Sequence, residues 1–360
     1  MEKKYQTVTD TIQRWITSGQ YHENDKLPTE SELMAQFDVS RHTVRKALGD
    51  LESDGYVYRV QGGGTYVAER RLKPVSTMQS VAVMATHIND YIFPAIISGI
   101  ERVLSAQSVS LMLSSTENSE ELEAKNLSKL MNSAIDGLIV EPTRSAFTVK
   151  NEAMYAQLAQ SHVPIVTMNA RFKDLQVPYF VMDDFEGGKM ATEYVLQHHH
   201  THIMGIFKTD DQQGVDRMNG YVYALQKANQ PTVATTFLYQ SGKSENNMGD
   251  RLRKLFAQTD RPTAMICYND KIAVLAYNIA QTMGIQVPEQ LSIIGFDNSS
   301  LASSYGLHLT SVNHPKANMG RDAAELILRM IQNPTKDFLS DSKTYTPELV
   351  IGESVVDLKQ

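Results

Sequence analysis

Four cationic or titratable side chains, Arg41, His42, Arg45 and Lys46, fall within six residues, with Thr43 among them. At 100° per residue they share one side of a helix, while Val44, Ala47 and Leu48 cluster on the other. A helix with one buried stripe and one cationic stripe meets the needs of nucleic-acid contact. Arginine grips guanine O6 and N7 through two parallel hydrogen bonds, whereas lysine serves mainly as a point charge for phosphate. Thirteen residues beyond Leu48 comes Gln61-Gly62-Gly63-Gly64-Thr65. A hairpin tip stripped of side chains can approach a phosphate or a minor groove closely.

The elements that must position these groups are legible around them. Val8, Ile12, Trp15 and Ile16 give one apolar face to a helix over 4–18. Thr29 with Glu32 three residues on makes a capping box for a second helix, whose Leu33, Met34 and Phe37 turn inward. Asp38-Val39 is the turn, and Ser40 caps the cationic helix. The stretch from Tyr5 to Val67 resembles the winged helix-turn-helix of the GntR family. The resemblance rests on Leu27-Pro28-Thr29-Glu30-Ser31-Glu32-Leu33, on Val39-Ser40-Arg41-His42-Thr43-Val44-Arg45, and on the glycine-rich wing. It implies base or phosphate contact from Arg41, His42 and Arg45, with Glu30, Gln61 and the neighbouring Gly62 and Gly63 also touching DNA and Lys4 on phosphate. Residues 1–74 hold eleven basic and eleven acidic side chains, so the head is neutral and the remainder carries the net charge of −7. Weak non-specific binding follows, with affinity concentrated in a local patch and in the avidity of a dimer.

At 360 residues the chain calls for two or three domains, and 42% apolar with 21% charged residues is ordinary for a globular protein. No run approaches the roughly 18 apolar residues that span a bilayer, and the charged N-terminus gives no secretory leader. The single cysteine, Cys267, sits in an apolar strand. A cytoplasmic protein without membrane contact is expected. Residues 69–79 are polar, contain Pro74 and lack apolar periodicity, and read as a linker between a domain at 1–68 and another at 80–360.

From residue 80 onward apolar strands alternate with helical segments. Strands fall at 80–85, 110–114, 137–140 and 164–168; the pattern restarts at Tyr179-Phe180-Val181-Met182 and continues through 203–207, 236–239, 264–267 and 291–295. Alternation of this kind predicts parallel sheets covered by helices, in two lobes with a cleft at the carboxyl ends of the strands. The crossovers are placed near 176–184, 313–316 and 334–345. The fold class is therefore multidomain α/β: an N-terminal winged helix-turn-helix plus a two-lobed α/β core with parallel sheets. Glu141, directly after its strand, stands at the cleft edge, and Tyr91 and Phe93, after the first strand, are the aromatic platform. Asn169 and Arg171 lie near the first crossover and His314 near a later one.

This region resembles the effector-binding core of the LacI/GalR family. The carrying motifs are Phe93-Pro94 with Gly99 and Glu101, Asp136-Gly137-Leu138-Ile139-Val140, Asp216-Arg217 with Gly220-Tyr221, Tyr268-Asn269-Asp270, Gly295-Phe296-Asp297 and Pro347-Glu348-Leu349-Val350-Ile351-Gly352. The resemblance implies a periplasmic-binding-protein-like core and effector contact from Arg217, Asn269 and Asp297, whose planar groups suit the paired hydroxyls of a sugar. Asp270 reads as a helix cap. A GntR-type head on a LacI-type body resembles the arabinose repressor family. It implies a homodimer on double-stranded operator DNA, released by L-arabinose or a similar sugar, with no cofactor. The linker lacks the hinge-helix sequence of LacI-type heads.

His198-His199-His200-Thr201-His202 invites a metal reading, but no carboxylate or cysteine stands near it in sequence, and no metal is expected. The methionines are scattered and read as core filler. A sugar carrier would account for the cleft but not for the cationic helix and wing. A sugar-converting enzyme would need a phosphate loop, a dinucleotide fingerprint or a nucleophile elbow, and none is present.

Overall fold

Helix α1 (Lys4–Thr17) buries Val8 and Ile12 against Leu33 of α2 (Glu30–Phe37) and Val44, Ala47, Leu48 and Leu51 of α3 (Arg41–Ser53). Trp15, Ile16, Met34 and Phe37 close the edges of this small core. The capping box of α2 forms as expected: Glu32 N donates to Thr29 Oγ1 (3.3 Å), and Thr29 N donates to Glu32 Oε2 (2.7 Å). Asp38 takes a left-handed φ of 49° to end the helix, and Ser40 Oγ accepts from Thr43 N to start α3. Strands β1 (Val57–Val60) and β2 (Gly64–Val67) pair antiparallel as the wing, with Val57 opposite Val67. Gly64, at φ 110°, occupies a conformation that side chains strain to adopt.

The computed structural model describes residues 4–17, 20–22, 24–53, 56–60, 63–68, 79–88, 91–145, 147, 150–228, 231–242 and 247–359. The chain divides into two compact units, Met1–Thr77 and Met78–Gln360. Gln61, Gly62, the Lys4 side chain and the expected linker at 69–79, apart from Gln79, lie outside the described residues.

In the second unit, alternate side chains of β3 (Ser80–Ala85) enter two different cores. Val81, Val83 and Ala85 pack on α4 (Phe93–Ala106), while Ala82 and Met84 pack on the opposite face. Parallel to β3 run β4 (Ser110–Ser115) and β5 (Gly137–Val140), with α5 (Glu120–Met131) between them. Then follow α6 (Glu152–Gln160), β6 (Ile165–Met168) and β7 (Tyr179–Met182).

The chain next crosses to a second lobe. There α7 (Asp184–Gln197), β8 (His202–Lys208), α8 (Gln212–Lys227), β9 (Val233–Tyr239), α9 (Met248–Phe256), β10 (Ala264–Cys267), α10 (Asp270–Thr282), β11 (Ser292–Asp297), α11 (Ser300–Ser304) and β12 (Thr310–Asn313) build another sheet. Helix α12 (Lys316–Gln332) returns to pack on α4, where a Cβ on Gly320 would meet Ile96 O at 2.1 Å. Strand β13 (Lys343–Tyr345) joins the first sheet and β14 (Leu349–Val350) the second.

The strand orders are β4-β3-β5-β6-β7-β13 and β9-β8-β10-β11-β12-β14, all parallel except β14. Both are doubly wound, and each reverses direction beside its first strand, where the carboxyl ends open a crevice.

Two expectations need correction. Tyr179–Met182 does not restart the pattern in a new lobe: it pairs with β6 and with β13, and so completes the first sheet. The third crossover is not at 334–345, because Phe338 is buried in the core and Lys343–Tyr345 pairs with Phe180–Met182; the chain crosses between β13 and β14 instead.

Helices α7 and α8 approach at their glycines. A Cβ on Gly220 would lie 2.0 Å from Phe185 O and one on Gly188 2.1 Å from Arg217 O, both unyielding backbone atoms. Gly220→Ala is therefore expected to push the helices apart and lower stability by about 1–3 kcal/mol or more. An unchanged urea midpoint would contradict that packing.

Candidate functional site

On the first unit, α3 turns Arg41, His42, Arg45 and Lys46 to solvent while Val44, Ala47 and Leu48 anchor it below. Arg45 Nε donates to both oxygens of Glu30 (2.9 and 3.0 Å), and Arg41 Nε lies 3.9 Å from the same carboxylate. Glu30 thereby orients two arginines across the gap between α2 and α3. Such exposed pairs contribute little energy, so a phosphate or base can replace the carboxylate as partner. Lys46 Nζ stands 4.0 Å above the Tyr5 ring, and Thr43 Oγ1 is hydrogen-bonded to Ser40 Oγ. On the wing, Arg59 donates to Arg45 O (3.3 Å), joining hairpin to helix. Gly63 sits in the turn, where a Cβ would crowd Val60 Cγ1 at 2.9 Å.

On the second unit, the carboxyl ends of the strands from both lobes surround a cavity of about 670 Å³. Tyr91, Phe93, Glu141, Arg217, Asn269 and Asp297 all line it. The Arg217 guanidinium is buried and donates to Asp184 Oδ1 (2.8 Å) and to Tyr268 O (2.6 Å). It lies 4.0 Å from Asp297 and 3.5 Å from the centre of the Phe296 ring. Burial pushes the Asp297 carboxyl up to about 7 and Asp184 up to about 6, although the charge of Arg217 opposes both shifts. Tyr91, from the first lobe, donates its hydroxyl to Asp297. Asn269 faces the cavity while its Oδ1 accepts from Ile272 N (3.0 Å), so it also caps α10.

Glu141 is held by Thr86 N (2.8 Å), the Thr86 hydroxyl and Asn169 Nδ2 (2.9 Å), and burial raises its carboxyl above the ordinary range. Asn169 and His314 do not line the cavity. They stand behind its wall, with His314 Nε2 3.1 Å from Asn169 Oδ1. Because Asn169 must turn its amide nitrogen to the carboxylate, His314 has to donate from Nε2. Burial, reinforced by the charges of Lys316 and Arg217, takes its pKa down to about 3 and keeps it neutral. Arg171 is not brought to the cavity at all: it is exposed and lies over the Tyr179 ring.

Several lining groups escaped the sequence reading. Lys208, at the end of β8, is paired with Asp211 (3.1 Å) and stands 3.9 Å from Asp210. Burial works against its charge, yet the two aspartates outweigh it and hold the ammonium protonated. Tyr268 donates to Asp211 Oδ2 (2.7 Å). The available signal was position: Lys208-Thr209-Asp210-Asp211 follows an apolar strand at the end where these sheets bind ligands. Asp270, by contrast, accepts from Ser299 and Ser311, and fills a structural role.

The histidine run is accounted for by the C-terminal segment. His199 Nδ1 meets Asp357 at 2.6 Å, and buried His200 contacts Val356 O and Thr263 Oγ1. Among the described residues no three potential ligands come together for a metal ion, and no helix is long and apolar enough to cross a membrane.

Residues 4–67 match the bacterial regulatory proteins of the gntR family, and residues 192–355 match the periplasmic binding protein-like domain. The chain is 38% identical over 359 residues to an arabinose metabolism transcriptional repressor of Geobacillus stearothermophilus, covering 99% of this chain and 98% of that one. A protein of the same description from Halalkalibacterium halodurans is 37% identical, over 100% of this chain and 98% of the relative. A ribose-bound LacI family transcriptional regulator from Enterococcus faecalis has the same fold in its core, with a TM-score of 0.66 at 21% identity, over 78% of this chain and all of that one. With both modules matched and the likeness running end to end, the chain belongs to the arabinose metabolism transcriptional repressors, a gntR-type head joined to a LacI-type core.

Proposed function

We propose that this protein represses genes of arabinose metabolism by binding their operator, and that a free sugar in the interlobe cavity, L-arabinose foremost, releases it. The observation that carries this reading is the end-to-end identity of 38% with an arabinose metabolism transcriptional repressor. The geometry supports it: an exposed cationic face on α3, and a cavity where Arg217, Asp297, Glu141 and Lys208 offer donors and acceptors to vicinal hydroxyls. The protein acts as a regulator and not as an enzyme, works in the cytoplasm where the chromosome lies, and needs no cofactor.

Two copies on one operator belong to this reading. One recognition helix per chain and a neutral head need avidity for useful affinity. Exposed Met112 and Leu113 on edge strand β4, and Val233 and Leu238 on edge strand β9, offer apolar surface for a second copy to cover. The test is fluorescence anisotropy on DNA upstream of the arabinose genes, with and without L-arabinose, ribose and xylose. Saturable binding relieved by L-arabinose is expected; binding indifferent to every sugar would overturn the reading.

Arg45→Ala tests the DNA end. Loss of a base-reading arginine is expected to cost about 1–3 kcal/mol of operator affinity and to relax specificity at its base. Equal affinity of mutant and parent at matched salt would remove Arg45 from the interface.

A further inference from the structure

The three crossovers lie at one edge of the paired sheets, beside β7, β13, β12 and β14, and the opposite edge is formed by β4 and β9. From β7 to β4 there are four strand spacings, a lever of about 19 Å. A lobe rotation of only about 6° would displace the far edge by about 2 Å, enough to break a hydrogen bond there. Bonds at that edge are therefore the most sensitive to cleft opening.

One side chain concentrates those bonds. Asn118 follows β4, and it and Glu117 both adopt left-handed backbone, with φ of 53° and 48°. Two such residues in succession are strained outside glycine, and strain of this kind persists where surrounding contacts hold it. Here the contacts come from both lobes. Asn118 Oδ1 accepts from Arg144 N (2.7 Å) on its own lobe, while Nδ2 donates across the cleft to Asp210 Oδ2 (3.3 Å) and Ser241 Oγ (3.2 Å). Asp210 Oδ2 also accepts from Ser241 N (3.1 Å), so the far side is braced. Asn118 and Asp210 are 7% and 2% exposed, and further bonds cross the cleft from Gln212 N to Ser145 Oγ (2.9 Å) and from the Tyr91 hydroxyl to Asp297.

We infer that Asn118 is the latch of the cleft, a positioning residue for effector binding that acts through Asp210. With the latch made, Thr86, Glu141 and Tyr91 of the first lobe face Lys208 and Asp211 of the second across one ligand. With it broken, the two sets separate and neither alone surrounds a sugar. The ligand named here rests on the proposed function; the latch itself rests on geometry alone.

Asn118→Asp turns a donor into a carboxylate facing the Asp210 carboxylate, and like charges in juxtaposition are costly. Asn118→Gly removes the amide while relieving the backbone strain; it also gives up the Arg144 N bond inside the first lobe, but only the loss of the cross-cleft bonds changes the distance between the lobes. Both variants are made in the full chain carrying spin labels at Glu121→Cys and Gln240→Cys, on exposed positions of the two lobes. Cys267 is buried with its thiol pushed up by burial, and stays unlabelled.

Electron spin distance measurements without sugar are expected to show a longer interlobe distance in Asn118→Gly and the longest in Asn118→Asp. Adding Asp210→Asn to Asn118→Asp removes the repulsion and should bring the distance back toward that of the parent. The L-arabinose Kd should follow the same order, rising on the order of tenfold or more in Asn118→Asp. Unchanged distances in both single variants, or no recovery in the double variant, would overturn the latch. A parent that ignores L-arabinose while the distances still move would overturn the proposed effector and leave the latch standing.

Discussion

Replacing Arg217 by methionine is expected to abolish sugar binding and to destabilise the second unit by about 3–5 kcal/mol at pH 8. The guanidinium is the one cation within ion-pair distance of both buried carboxylates, Asp184 and Asp297, among the described residues. Its removal leaves Asp184 without a charge partner and Asp297 with the Tyr91 hydroxyl and the charge of Lys316, so most of the penalty of burial goes uncompensated. The sign with pH follows from the shifts. Both carboxyls sit above their ordinary value already in the parent, Asp184 at about 6 and Asp297 at about 7. The folded state therefore holds protons that the unfolded chain has released. The contribution of these two groups to stability is full below about pH 4 and is lost as pH rises through 6 and 7. Without Arg217 both carboxyls move higher, so the mutant regains stability as the solution is acidified from pH 8 to 6, by more than the parent does. Adding Asp184→Asn and Asp297→Asn should recover most of the loss without restoring sugar binding. Urea denaturation at two pH values with calorimetry of L-arabinose decides it. A mutant as stable as the parent at pH 8 with the same sugar affinity would mean that Arg217 is dispensable to both fold and site.

The parts of this molecule that could be read from its sequence are those set by neighbours within a few residues. Thr29 and Glu32 cap each other across one turn, and the cationic face of Arg41–Lys46 follows from helix period alone. The strand–helix alternation was legible for the same reason: an apolar run such as Gly137–Val140 identifies itself. What escaped depends on pairing over long separations. Tyr179–Met182 has the look of any buried strand, and its place in the first sheet is set by pairing with Thr167–Met168 on one side and with Lys343–Tyr345, more than 160 residues later, on the other. Asn169 and Arg171, two positions apart, take opposite fates: one faces Glu141 inside and the other solvent, a distinction set by how the loop leaves β6. His314 follows β12 directly, but its role behind Glu141 needs the Asn169 bond that spans 145 positions.

Saturating sugar is expected to raise the stability of the second unit by about 4.1 kcal/mol at a thousand times its Kd, on the order of 10 °C in Tm. A cavity whose polar groups are already held in place loses little to ordering when it binds, so the intrinsic affinity should survive into this shift. Glu141 is fixed by Thr86 and Asn169, and Arg217 by Asp184 and Tyr268, before any ligand arrives. Xylose and ribose differ from L-arabinose only in hydroxyl configuration. Each misplaced hydroxyl leaves a buried donor or acceptor unpaired, at about 1–3 kcal/mol. Those sugars should therefore shift Tm measurably less at equal concentration. Operator DNA enters the same cycle. If L-arabinose weakens operator binding by some factor, operator must weaken L-arabinose binding by that factor, with 5–150-fold being about the usual range. Repeating the sugar titration in the presence of saturating operator therefore tests derepression from the opposite side of the cycle. A Kd for L-arabinose that is unchanged by DNA would leave the cavity occupied but without influence on repression. One that tightens would make the sugar a corepressor.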